Sequence, residues 1–430
     1  MGRQNYITRR DKEQGVIITL VAVFMLFVIG AMAALSIDVV TLYTARSEAQ
    51  LAADGAALAG ARVLANSGVT SDTTGTLMAA AQIPAKVVAI QVAQSSLVGG
   101  RYLIASSGEV TVNISGTNTD PHVTVTTQRS DLPTFFARIW GRTQVAVAAS
   151  ATAEAYNPSA GVGVSFSSAP PVAPICVKPW LLPNISPKTG GAIFSAATGT
   201  ISDTTLLGWS SVGSSLQMSV SCTGGNCGTT LLLPSAWQYY PGDPATTFPP
   251  PTTSLPSCSP ALSSGYEESI AGCIPIPISC NASSANIDFS DYPNRNAETA
   301  SAVNCLTHAT NNGGDSVASP SPPNAPFQFV AGADNPIPGL ASSDVMVSDS
   351  LVTVPVFNST TGVAPTNPIQ IIGFVQLFLN PIGNAAPGTG KIDTTVVNLA
   401  GCGTPGSGAF GTAIVGNGAS PVAVRLISGP

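Results

Sequence analysis

The sequence predicts an α+β protein: a long N-terminal transmembrane helix continues into a small α+β unit, and a β-rich, disulfide-containing domain follows. Three observations carry this prediction. An uncharged apolar run passes into an alanine-rich polar stretch with no turn residue between them. Short alternating segments punctuated by Gly, Pro, Ser and Thr fill most of the remainder. All eight cysteines lie after residue 175.

Composition bounds the partners. With 430 residues the chain can hold two or three domains. Charged residues make up 9 %, well below the usual quarter or so. With 42 glycines and 35 prolines, the chain is turn-rich, yet its mean hydropathy is above zero, which argues against disorder. The net charge is −6 and the isoelectric point about 4.8. Eleven of the sixteen bases lie at or before Arg142, with no basic patch interleaved with aromatics, so no nucleic-acid partner is expected.

The first element is the uncharged run Val16–Ile37. As a helix it would span about 33 Å, enough to cross a hydrocarbon core. Residues 1–15 form a basic segment: Arg3, Arg9, Arg10 and Lys12 are offset only by Asp11 and Glu13, whereas Asp38 comes first after the run. The positive-inside rule then places the N-terminus in the cytoplasm and the body outside. The rival reading is a cleaved signal peptide. The run exceeds a signal h-region in length, and the Ala31–Ala33 triplet lies within it, so an uncleaved signal anchor is expected. Asp38 either ends the span at headgroup level or contacts a partner in an assembly.

Residues 38–66 read as an Ala-rich helical rod. Leu42, Ala45, Ala49, Ala52, Ala56, Ala59 and Val63 recur at spacings of three and four, a stripe of small side chains that allows close helix approach. Two packings satisfy it: assembly with similar rods, or burial of the helix on its own domain.

Residues 67–156 read as a small α+β unit. "PAKVVAIQVAQSSL" predicts a second helix starting at Pro84. "EVTVNIS" and "HVTVTTQ" predict a hairpin, and "TQVAVAASATAEA" a third strand. Between them, "LPTFFARIWG" predicts a short amphipathic helix with Phe135, Phe136, Ile139 and Trp140 facing the core. Residues 157–172 form a Gly/Ser/Pro linker. Over 173–430, strands are expected at "AIFSAA", "SLQMSVSC", "DVMVSDSLVTVPVF", "IQIIGFVQLFLN", "KIDTTVVNLAG" and "SPVAVRLIS". One helix is expected at "NAETASAVNCLTHAT", with Asn296 as N-cap and Glu298 in its first turn. Pro244–Pro256 reads as an extended Pro/Thr-rich loop. The nine-residue run Ile371–Leu379 is too short for a second span.

The cysteine distribution fits disulfides in an oxidising compartment. Cys222 with Cys227, across a glycine-rich turn, and Cys273 with Cys280 are the expected pairs; Cys176, Cys258, Cys305 and Cys402 cannot be paired from sequence. No Cys-x2-Cys unit and only two histidines, His122 and His308, argue against zinc. Neither histidine has a nucleophile at a recognised spacing, and the glycine strings lack a phosphate-binding context. No catalytic residue, cofactor, metal or small-molecule substrate is therefore expected.

The string "QGVIITLVAVFMLFVIGAMAALSIDVVTLYTARSEAQLAADGAALAGA" resembles the TadE/TadG-like proteins of bacterial tight-adherence (Flp) pilus machinery. Its most specific elements are the apolar segment ending in "SIDV", the aromatic "LY" and "LAADGAALAGA". "TFFARIWGRTQVAVAASATAEAY" resembles the segment closing that family's N-terminal region, and "SDSLVTVPVFN" with "IQIIGFVQLFLN" the late strands of some long members. The outline of residues 67–156 is similar to pilin-like folds. The resemblance implies a membrane-anchored structural or assembly component, with its body periplasmic or at the cell surface. Its partners would be other pilus-assembly proteins or, through the Ala stripe, itself. Two features depart from relatives. Type IV-like pilins are cut after a Gly and carry Glu at the fifth mature position; counted from Val16, that position is Leu20, which argues against prepilin processing and a major-pilin role. The nearest string to a von Willebrand A-type metal loop, Asp288–Tyr292, has Tyr in place of the second Ser, so no metal site is expected there. The sequons at Asn113, Asn184, Asn281 and Asn358 would carry no meaning in the bacterial host that the resemblance implies. The alternative function is an envelope hydrolase or binding protein borrowing a pilin-like anchor.

Overall fold

The computed structural model describes residues 8–157 and 172–207 without a break and, in shorter runs, much of 217–427. Most of the expected linker, Cys280, and nearly all of Pro244–Pro256 and Asp288–Tyr292 fall outside the described residues.

Helix α1 (Thr8–Ala65) is one uninterrupted 58-residue element. At 1.5 Å per residue it is about 87 Å long. It contains no proline, and alanine, the best helix former, dominates its second half. None of residues 15–37 is buried, and the next residue, Asp38, is. The helix thus has a naked apolar half and a half embedded in protein.

Helix α2 (Met78–Gln94) packs on α1 through Ala81, Ala85, Ala89 and Ala93, all fully buried and spaced by four. It begins six residues before the expected start, with Pro84 inside it. The reason is Asp72, whose carboxylate accepts the N–H of Thr74 (2.9 Å) and of Leu77 (2.8 Å). That anchored turn launches the helix, and Pro84 then forfeits only the bond to the carbonyl four residues back.

Strands β1 (Val110–Gly116), β2 (Pro121–Pro133) and β3 (Gln144–Tyr156) form the expected antiparallel meander. Val123, Val125 and Thr127 of β2 face α1, while Thr124 and Thr126 meet Thr152 and Ser150 on the outer face at 2.9 and 3.1 Å. The expected amphipathic helix after β2 is instead a single 3-10 turn, Ala137–Trp140, and Phe135 is 64 % exposed rather than in the core. The segment must close the β2–β3 connection, where the Thr134 N–H bonds the Thr143 carbonyl (3.3 Å), which leaves room for one turn only.

The remainder centres on a five-stranded sheet. Its strands are β4 (Trp180–Pro183), β5 (Tyr240–Pro241), β6 (Leu351–Phe357), β7 (Ile371–Leu379) and β8 (Thr394–Gly401), in the order β5-β4-β6-β7-β8. Only β4 and β6 run parallel. Every residue of β6, β7 and β8 is buried, so both faces are covered and apolar runs replace alternation. Helices α3 (Gly265–Ala271) and α4 (Asn296–Leu306) supply Tyr266, Ile270, Ala300 and Val303 to one covered face. Strand β9 (Ala423–Ile427) returns to pair with Thr152–Tyr156 at the end of β3. The first sheet, in the order β9-β3-β2-β1, is therefore completed by a strand that sequence alone groups with the second domain.

Several local expectations shift. "AIFSAA" makes only the bridge Phe194–Ile201. Asn296 is the first helical residue of α4 rather than its cap, and its N–H bonds Asn294 Oδ1 (3.2 Å). Helix α3 was not anticipated, although Ser264 and Glu267 form a capping box.

The cysteines pair as Cys176–Cys273 and Cys258–Cys305, with Cα separations of 4.4 and 5.4 Å. The expected Cys273–Cys280 bridge is overturned. Cys273 is bonded to Cys176 instead, so it has no sulfur left for Cys280. The Ile278 N–H bonds the Pro174 carbonyl (3.0 Å), and this draws the segment alongside the strand that leads into Cys176. Cys222 and Cys227 stand opposite each other across a two-residue antiparallel ladder. Cys402 is also disulfide-bonded.

Candidate functional site at the membrane exit of α1

Asp38 is 3 % exposed. Its carboxylate accepts three backbone N–H bonds from a segment about a hundred residues away: Phe135 at 2.9 Å, Phe136 at 3.0 Å and Ala137 at 2.7 Å. These donors open the 3-10 turn Ala137–Trp140, whose first N–H groups have no partner within the turn. Burial pushes the Asp38 carboxyl up, but the three donors outweigh it and hold it below the ordinary value. The aspartate that ends the apolar run is thus a clamp tying the β2–β3 connection to α1.

Further bonds follow up the helix. Glu48 accepts the Gly99 N–H (2.7 Å), the Ala49 carbonyl accepts the Thr127 hydroxyl (2.9 Å), and Gln50 donates to the Ser150 carbonyl (3.3 Å). Beside them Arg101 bridges Glu109 and Asp131, while Arg129 bonds Asp131 (2.8 Å) and the Gly99 carbonyl (2.9 Å). The bond from Arg129, supported by Arg101, pulls Asp131 down to about 2, and Arg101 lowers Glu109.

The alanine stripe lies inside this grip. Ala45, Ala49, Ala52, Ala56 and Val63 are buried within the chain, and Leu42 and Ala59 are partly buried. Ala53, Ala57, Ala61 and Leu64 are fully buried too, so the covered face is wider than the stripe. The reason is double coverage, by α2 on one side and β2–β3 on the other. A Cβ at Gly60 would lie 3.0 Å from Val123, 3.2 Å from Ala89 Cβ and 3.3 Å from the Ala85 carbonyl. Of the two packings the sequence allows, the helix adopts the one within its own chain.

At its far end α1 plugs into the second sheet. Asn398 of β8 donates to the Ala65 carbonyl (2.6 Å) and to Gln376 of β7 (2.5 Å), and Gln376 donates to Asn66 (3.0 Å). Ser71 bonds the Leu399 N–H (2.8 Å) and carbonyl (2.9 Å), and Asn157 reaches the Thr70 carbonyl (3.1 Å) and the Leu399 carbonyl (2.9 Å). Asn66, Ser71, Asn157, Gln376 and Asn398 are all buried. Sequence reading missed this joint because its members come from four separate stretches of chain; the only signal was polar residues inside the apolar runs of β7 and β8.

One group among the described residues has the composition of a metal site: Asp120, His122 and Glu154. His122 lies 3.3 Å from Asp120 and 3.7 Å from Glu154, and Glu154 is already paired with Arg425 of β9. The cluster ties β9 to β3. His308 bonds Asp349 at 3.1 Å, which raises its pKa.

The apolar half-helix and most of the alanine-lined rod that follows it are the part of the chain that a family model matches. Residues 15–63 match the family model described as putative Flp pilus-assembly TadE/G-like. This TadE/G-like segment includes the span, Asp38 and the whole small-residue stripe. It supports a role related to Flp pilus assembly and, with one helix long and apolar enough to cross a membrane, membrane anchoring. Residues 134–156 and 348–380 lie outside the match. Comparison with curated proteins and with solved structures finds no match.

Proposed function

We propose that this chain is a single-pass structural or assembly component of a tight-adherence pilus apparatus in a bacterial envelope. Its basic N-terminus would lie in the cytoplasm and its disulfide-bearing body in the periplasm or at the surface. It would work mechanically, with no catalytic step, cofactor or metal of its own. The observation that carries this reading is the unbroken α1, gripped at Asp38 and again at Ala65, which makes span and body one lever. A displacement of the span in the membrane would then reach the second sheet without being absorbed in a hinge. Since the small-residue stripe is covered by the chain itself, pilus-assembly partners would meet the outer face of α1 beyond the membrane, where Leu51 is 69 % exposed.

The test is cross-linking in native membranes with a photoreactive residue at Leu51, followed by purification with disulfides intact. Adducts to pilus-assembly proteins are expected. Adducts to no such protein, with normal membrane insertion, would overturn the proposal.

A further inference from the structure

We propose that residues 135–142 form a foot that sits in the headgroup layer of the bilayer and holds acidic phospholipid. This rests on α1 spanning the membrane and goes beyond it. The hydrocarbon core fits the uncharged run that ends at Ile37, and the polar layer outside such a core is about 5–7 Å deep. At 1.5 Å per residue, that layer covers roughly the next four or five residues of α1. Asp38 lies within it, and its carboxylate binds the N–H groups of Phe135, Phe136 and Ala137 directly. The 3-10 turn is thereby fixed at the same depth, whatever the rest of the body does.

The surface there suits that depth. Phe135 is 64 % exposed, and on α1 Val39, Val40 and Tyr43 are 56, 63 and 76 % exposed. In water these would be a cluster of uncovered apolar side chains; at a lipid interface they continue the surface of the span. Between α1 and the end of β2 that leads into the foot runs a groove of about 340 Å³, lined by Val40, Leu42, Ala45, Leu132, Pro133 and Phe135 together with Glu48. It opens beside the end of the span and has room for part of an acyl chain. Arg138 and Arg142 are exposed on the same short segment. The nearby acids are otherwise engaged: Asp38 by the clamp, Glu48 by the Gly99 N–H, and Asp131 by Arg129 and Arg101. Two exposed guanidinium groups on the segment whose Phe135 lines the groove fit a phosphate headgroup and its chain.

The full-length chain tests this with benzoylphenylalanine at position 135, 24 or 83, one at a time. Each variant is reconstituted into vesicles of equal phosphatidylglycerol and phosphatidylcholine, irradiated, and its adducts weighed by mass spectrometry. Phe24 is mid-span, whereas Ile83 is exposed on α2, whose Ala85 packs at Gly60, about 30 Å beyond Asp38. Lipid adducts are expected at 24 and 135 and not at 83. At 135 phosphatidylglycerol should exceed phosphatidylcholine by roughly fivefold per arginine, about 30-fold for two. R138Q/R142Q should bring that ratio near one while lipid adducts persist. Lipid adducts at 24 but only protein adducts or none at 135 would overturn the foot and leave the anchor standing. An unbiased ratio at 135 in the parent chain would overturn the headgroup assignment. Absence of lipid adducts at 24 would overturn the anchor itself.

Discussion

Asp38 shows how one side chain can set the geometry of a membrane exit. A carboxylate offers four lone-pair directions and here meets three N–H donors that no other group serves. Asp38→Ala strands those donors in a partly buried site, so amide exchange at residues 135–137 should quicken on the order of tenfold, the effect of losing one net hydrogen bond. Asp38→Asn should fall between, since its amide keeps one acceptor but turns a donor toward the N–H groups. Unchanged exchange in both variants would remove the clamp from the account. The pH dependence has a definite sign. The native pKa is depressed, so the stabilisation is complete above the unfolded carboxyl value of about 3.9 and disappears as pH falls through the native one. The clamp therefore holds across the physiological range and loosens only in strong acid.

At the scale of elements, the alanines are explained by proximity. Helix α1 is pressed between α2 and the first sheet, and at Gly60 no added carbon fits without contact. Ala89→Leu inserts three carbons into this seam and should destabilise the body by about 1–3 kcal/mol. The measurement is thermal unfolding in detergent; an unchanged transition would mean that the seam opens freely and that a second rod could replace α2. The same elements show what the sequence made legible. The span, the rod, the β1–β2 hairpin, β3, β7 and β8 follow local periodicity, which short-range physics fixes. The start of α2 was misplaced because Pro84 looked like a first-turn residue, whereas Asp72, twelve residues earlier, launches the helix. The spacing of Phe135, Phe136, Ile139 and Trp140 suggested a core face, but the clamp at Asp38 leaves Phe135 outward. Disulfide partners were misjudged for Cys273 because Cys176 lies 97 residues away in sequence. For the turn and the disulfide the deciding contact was long-range, whereas for α2 it was a local anchor lying before the stretch that looked helical. The functional site was half legible: Asp38 stood out by its position, but the donors it binds did not.

Over the whole molecule, the lever depends on the buried polar joint at the top of α1. Hydrophobic packing alone would let the rod end slide on the second sheet, since apolar contacts are weakly directional. The amides of Asn398 and Gln376 fix the orientation instead, because each must meet specific partners or remain unsatisfied in the interior. Asn398→Leu keeps similar volume but strips the Ala65 carbonyl and Gln376 Oε1 of a donor, at a cost of about 2–5 kcal/mol. The loss should appear chiefly as freedom between rod and body rather than as unfolding, because Cys176–Cys273 and Cys258–Cys305 brace the second unit independently. Spin labels carried on non-natural residues at Leu51 of the rod and at Lys188 in the second unit, both exposed, report this directly. The parent chain should give one narrow distance distribution and the Asn398→Leu chain a broad one, with β6–β8 amides still protected from exchange. A narrow distribution in both chains would mean that packing alone aligns the rod. The buried amides would then be incidental to force transmission, and the lever would have to be sought in α2 and the returning strand β9.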